Sequence, residues 1–206
     1  MKTVQTHSKF FIIGNADEQN SIAHLIQDHD IVVRFNNPNP NCTLKADWVF
    51  IANGTIQIRH LKIDHKFFKL NTQIFFRYTL KDILTSKYEI IPLNKKIKYY
   101  LRFPRWKKKY GLDKFAIQTI PDQVHFNCMN LLHSKFPSTG ILAIYYVLKY
   151  FPDHKIFIHN FTNQGWSGHN WENEKLLIQT WEREKRRHRL ESIVTGYSSL
   201  FYKQIK

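Results

Sequence analysis

Four short apolar runs carry an asparagine at or beside their carboxyl ends: KFFIIGN (9–15), IVVRFN (31–36), DWVFIAN (47–53) and KIFIHNF (155–161). Each is rich in β-branched or aromatic residues and too short for a helix, so each reads as a buried strand. Helical patterns separate them. ADEQNSIAHLIQDHD (16–30) sets Ile22, Leu25 and Ile26 at helical spacing, and residues 139–150 do the same with Ile141, Leu142, Tyr145, Val147 and Leu148. Strands alternating with helices pair in parallel, because the chain must cross over the sheet to return in the same direction. TQIFFRY (72–78) and YEIIPL (88–93) read as further strands around a short helical piece, 122–134 as helical, and Trp171 to about His188 as a charged helix. No repeat or low-complexity linker interrupts the chain. The expectation is one α/β domain over residues 1–206, with a mainly parallel central sheet flanked by helices.

In such sheets ligands bind beyond the carboxyl ends of the strands, near the point where strand order reverses. That rule singles out Gly14 and Asn15, Asn36, Asn53 and Asn160. Gly14 allows a sharp turn, and the Asn15 amide can both donate and accept hydrogen bonds; a self-satisfied turn explains the pair equally well. Arg34 and Asn36 share a face of their strand. An arginine on an apolar strand needs an anion, either a bound one or a carboxylate such as Asp28, Asp30 or Asp47.

Two further stretches carry polar chemistry. In Pro137-Ser138-Thr139-Gly140 a serine or threonine can cap the following helix, whose first-turn N–H groups then face outward. Such a corner serves as a plain cap or as an anion site. In GWSGHNWENEKLL (165–177) His169 precedes a helix start, with Asn170 as a cap and Glu172 and Glu174 in the first turn. His169 is open to use as a general base, or is simply a surface histidine.

A formal charge of +15, from 31 Lys and Arg against 16 Asp and Glu, favours anionic partners. Much of it lies in KKIKYYLRFPRWKKK (95–109), a run of unassigned structure in which tyrosine, phenylalanine and tryptophan interleave with the charges. It suits single-stranded nucleic acid or an anionic membrane surface. Only Cys42 and Cys128 occur, without metal-ligand spacing, which favours a reducing compartment. No Walker loop, GxGxxG, CxxC or HExxH occurs, and Asp28-His29-Asp30 only superficially imitates the DxD pair that holds a divalent metal on a nucleotide sugar. No metal is expected. The opening apolar run is too short for a signal peptide and no run is long enough to span a bilayer, so the expected location is cytoplasmic, with peripheral attachment to the inner membrane.

Taken in order, these motifs make the chain resemble the eukaryotic-type sialyltransferases, glycosyltransferase family 29, and short bacterial proteins similar to them. The family's large motif runs from a strand ending Val-Gly-Asn-Ser to Asp-x-Val-x-Arg-x-Asn. Here FIIGNADEQNSIAHLIQDHDIVVRFN puts Gly14, Asn15, Asp30, Val32, Arg34 and Asn36 in register, with Ala16 in place of the serine. Residues 137–161 match the small motif, and His169 with Glu174 matches the very small motif His-x4-Glu. The third motif, of His-Tyr-Tyr type, has no counterpart; His159 comes too early. The resemblance covers about 9–53 and 131–178 and implies a modified GT-A, Rossmann-like fold, using a CMP-sugar donor and no cofactor or metal. By carry-over Asn15 and Asn36 contact the nucleotide, Ser138, Thr139 and Gly140 hold the donor, His169 is the base, and Gly14, Arg34 and Glu174 support the site. The implied activity is inverting transfer from CMP-sialic acid or a related CMP-sugar to a glycan or glycolipid acceptor, extending a bacterial surface glycan such as lipooligosaccharide or capsule. The competing readings are a basic nucleic-acid-binding protein and a transferase fold that has lost its activity.

Overall fold

The computed structural model describes residues 5, 8–16, 22–37, 44–162, 168–184 and 190–193. Among them seven strands form one sheet: β1 (Phe10–Ile13), β2 (Ile31–Phe35), β3 (Ala46–Ile51), β4 (Phe68–Phe76), β5 (Ala116–Thr119), β6 (Ile156–His159) and β7 (Leu190–Ser192). Their order is β5-β4-β3-β2-β1-β6-β7, and every neighbouring pair is parallel. The helices are α1 (Gln57–His60), α2 (Leu80–Leu84), α3 (Leu93–Lys109), α4 (Asp122–Leu131), α5 (Thr139–Tyr150) and α6 (Trp171–Arg183). The architecture is therefore α/β and Rossmann-like.

Strands covered on both faces need apolar side chains in both directions, hence the unbroken runs. Along β1, Phe10 and Ile12 turn to one face, where Val124 and Cys128 of α4, Leu142 and Val147 of α5, and Ile178 and Trp181 of α6 pack. Phe11 and Ile13 turn to the other and meet Ile22. On that second face Val49, Ile51, Ile74 and Phe76 pack under Ile58 of α1 and Tyr99 and Trp106 of α3. Phe50 and Phe75 stack at 4.5 Å between centroids on neighbouring strands, an arrangement worth about 0.5–1.5 kcal/mol beyond area burial.

Several expectations change. YEIIPL is not a strand: Ile90 is 96% exposed, and Pro92, which has no N–H for a ladder, is the N-cap of α3. The basic run is helical, and it turns Tyr99 and Trp106 into the core while Tyr100 stays outside. Its aromatic residues Tyr99, Phe103 and Trp106 are thus committed to packing. Of the helix expected over 16–30, the described part holds only a 3-10 turn at Ala23–Leu25. The helix expected over 122–134 stops at Leu131, and His133 and Ser134 turn left-handed at φ 52° and 64°. Strands β5 and β7 are edge strands, short and half-polar, with no apolar run to announce them. Cys42, Gly165, Lys185 and His188 lie outside the described residues.

From β1 the strands run outward through β2, β3, β4 and β5, and the chain then returns to place β6 on the opposite side of β1. The reversal of order falls between β1 and β6, so their carboxyl ends bound the crevice where a ligand belongs. Among the described residues no helix is long and apolar enough to cross a membrane.

Candidate functional site

A cleft of ≈ 490 Å³ opens at this reversal. Gly14, Asn15, Asn36, Ser138, Thr139, Gly140, His169 and Glu174 all line it. Residues from three separate stretches of sequence thus meet at one place.

Gly14 follows β1 and donates its N–H to His159 O at 2.8 Å. A Cβ there would stand 2.1 Å from Asn160 O, so the close approach of the two strand ends requires glycine. Asn15 donates Nδ2–H to Phe35 O at 3.1 Å, tying the end of β1 to β2. Asn36 sits at φ 47°, and its Oδ1 accepts Ala52 N–H at 2.8 Å. Asn160 is also left-handed, at φ 58°. Left-handed backbone in non-glycine residues costs on the order of 1 kcal/mol and concentrates at functional sites, and asparagine tolerates it best. Asn53, by contrast, is buried and binds Tyr78 N–H and O at 2.9 and 2.7 Å, so it joins the ends of β3 and β4.

Arg34 lies buried within β2 and does not line the cleft. Asp30 accepts from Lys9 N and Gln27 N, and Asp47 from Val32 N. Asp47 also pairs with Lys69 at 2.7 Å.

Ser138 is the N-cap of α5: its Oγ accepts Ile141 N–H at 3.2 Å. Its own N–H donates to Glu174 Oε1 at 2.6 Å, so α6 pins the Pro-Ser-Thr-Gly corner. Burial holds the Glu174 carboxyl above its usual range, opposed by the Ser138 hydrogen bonds and by the charge of Arg77. Asn170 caps α6, accepting Asn173 N–H at 3.1 Å.

His169 places Nδ1 at 2.9 Å from Phe136 O. A carbonyl only accepts, so Nδ1 carries the proton and Nε2 the lone pair of a neutral ring. Burial lowers its pKa, Phe136 O raises it, and the positive charge of Arg77 lowers it further. The net depression keeps the ring unprotonated at neutral pH, with its lone pair able to take a proton. His159 does not line the cleft; it is buried in β6 with Nδ1 at 3.1 Å from Ile193 O.

Sequence reasoning missed Arg77, which follows β4 and lines the cleft while only 6% exposed. The signal was available: a charge directly after the apolar run of TQIFFRY, the position that drew attention to Asn36 and Asn53. Among the described residues no group of three or more His, Cys, Asp and Glu side chains is placed to hold a metal. No family model, curated protein or solved structure matches the chain.

Proposed function

We propose that the chain is an inverting glycosyltransferase that takes a CMP-activated sugar, of the sialic acid or Kdo type, and transfers it to a glycan or glycolipid hydroxyl. One observation carries this reading: Asn15 and Asn36, the 138–140 corner, and His169 with Glu174 all line a single cleft at the sheet reversal. A nucleotide with its phosphate at the start of α5 is what such a cleft accommodates.

In this reading the acceptor hydroxyl donates a hydrogen bond to His169 Nε2 and attacks C2 of the sugar. The new C2–O bond forms as the C2–O bond to CMP breaks, the phosphate keeps the bonding pair, and Nε2 takes the hydroxyl proton. A single displacement inverts C2. Base assistance contributes about 10²–10⁴-fold, and dipoles aimed at the departing phosphate contribute further. Because the His169 pKa is depressed in the unliganded chain, the acid limb of kcat/KM lies below the usual ~6.5 of histidine.

The acceptor in this reading sits at an anionic membrane surface. What supports this is α3, where Leu93, Ile97, Tyr100 and Leu101 are all more than half exposed at helical spacing, opposite the buried Tyr99 and Trp106. Lysines and arginines flank that stripe, the arrangement of a helix lying in a lipid interface.

The test is CMP release from CMP-sialic acid and CMP-Kdo with glycan acceptors. His169→Ala should lower kcat by about 10²–10⁴-fold while leaving CMP affinity within a factor of about two. Unchanged turnover in the variant removes His169 as the base.

A further inference from the structure

We propose that Arg77 and the N–H groups of Thr139 and Gly140 form one oxyanion site that receives the phosphate of the bound nucleotide. The inference rests on the CMP-sugar reading for the identity of the nucleotide, but not for the existence of the site.

The fold leaves Arg77 only partly satisfied. Its side chain is 94% shielded, and Nε has no hydrogen-bond partner. Among the described residues no carboxylate forms an ion pair with it. Its guanidinium engages the Tyr78 side chain, with the guanidinium carbon 5.2 Å from the ring centroid. A guanidinium cannot shed its proton, and with no carboxylate in ion-pair contact an anionic ligand would supply the charge that its burial leaves short. The same residue lines the cleft. Its positive charge acts on both His169 and Glu174, which places it within electrostatic range of the site's polar groups.

The second half of the site is the start of α5, a helix of 12 residues. Its local donors are accounted for one by one. Ser138 N–H goes to Glu174, Ile141 N–H to Ser138 Oγ, and Leu142 N–H to Ser138 O. Thr139 and Gly140 N–H, the first positions of the helix, have no acceptor among the described residues. Glu174 already occupies the Ser138 donor, so an incoming anion meets Thr139 and Gly140. Two adjacent N–H donors, the positive end of a helix and a planar five-donor cation suit a tetrahedral phosphate. During transfer the same groups would meet the charge that grows on departing CMP.

The test measures binding and melting of the full chain at constant ionic strength. The ligands are CMP, cytidine, inorganic phosphate and free N-acetylneuraminate, and the variants are Arg77→Met and Arg77→Lys. Wild-type protein should bind CMP, be stabilised by millimolar phosphate, and lose CMP competitively to phosphate. Cytidine should bind at least 10-fold more weakly than CMP. Arg77→Met should lower CMP affinity by about 10- to 100-fold, the span expected for hydrogen bonds to a charged group. Arg77→Lys, which keeps the charge and loses the fork, should fall between the two in CMP affinity. Equal CMP affinity in wild type and Arg77→Met overturns the site and leaves the CMP reading standing. Phosphate that does not compete with CMP in the wild-type chain also overturns it. Loss of N-acetylneuraminate binding with CMP binding intact assigns Arg77 to the sugar carboxylate and ends the phosphate assignment. If phosphate protection depends on Arg77 while CMP binds no better than phosphate, the oxyanion site holds and the nucleotide reading fails.

Discussion

Protonating His125 should destabilise this protein from beneath its candidate site. The ring is 1% exposed, and its Nε2–H donates to Arg77 O at 2.8 Å, supporting the backbone that carries Arg77. Tyr78 and Tyr88 cover it at 5.7 and 4.6 Å between centroids. Burial first and the Arg77 guanidinium second push its pKa from 6.5 down to about 4, against smaller upward effects of Arg77 O, Asp82 and Asp122. The unfolded chain takes up this proton near pH 6.5, the folded chain only near 4. The stability due to the neutral ring is therefore fully present above 6.5 and lost as pH falls from 6.5 to 4. The gap of about 2.5 pH units corresponds to about 3 kcal/mol, or roughly 6–12 °C in Tm for a domain of this length. His125→Gln keeps an N–H donor for Arg77 O and does not titrate. Urea unfolding followed by circular dichroism at pH 7, 5.5 and 4 should show wild type losing about 3 kcal/mol more than His125→Gln across that range. Groups that titrate in both proteins cancel in the difference. Parallel stability curves for the two proteins refute the reasoning.

Gly14→Ala should destabilise by about 2 kcal/mol or more, because the new Cβ would overlap Asn160 O and force β1 and β6 apart; chemical denaturation measures it. Ser138→Ala should cost about 1 kcal/mol as a lost cap, read in the same assay, and should weaken CMP binding by loosening the start of α5. Ile97→Asp with Leu101→Asp should abolish sedimentation with vesicles of anionic phospholipid, while Tm stays within about 2 °C because both side chains are more than half exposed. Retained vesicle binding in that variant removes α3 as the docking face.

The fold was legible where side chains repeat. Four apolar runs marked β1, β2, β3 and β6, and a strand covered on both faces can hardly be written otherwise. Edge strands β5 and β7 escaped because half their residues meet solvent, and YEIIPL misled because its isoleucines lie on an exposed turn before α3. The basic run hid a helix because its buried side is aromatic: Tyr99 and Trp106 are spaced seven apart, and the charges between them obscure the period. At the site, Gly14, Asn15, Asn36, the 138–140 corner, His169 and Glu174 line one cleft, and the strand-end rule drew attention to Gly14, Asn15 and Asn36. Arg34 drew attention as a charge inside an apolar strand, yet it is Arg77, one step past the end of β4, that reaches the cleft. Which of two similar arginines lines a pocket depends on strand register and strand length, and neither is written locally.

Calorimetric titration of the full chain with CMP, UDP and GDP at moderate salt tests the central claim most directly. One CMP should bind per chain, at least 10-fold more tightly than UDP or GDP. Equal binding of all three nucleotides, or a folded chain that takes up none of them, would contradict the account.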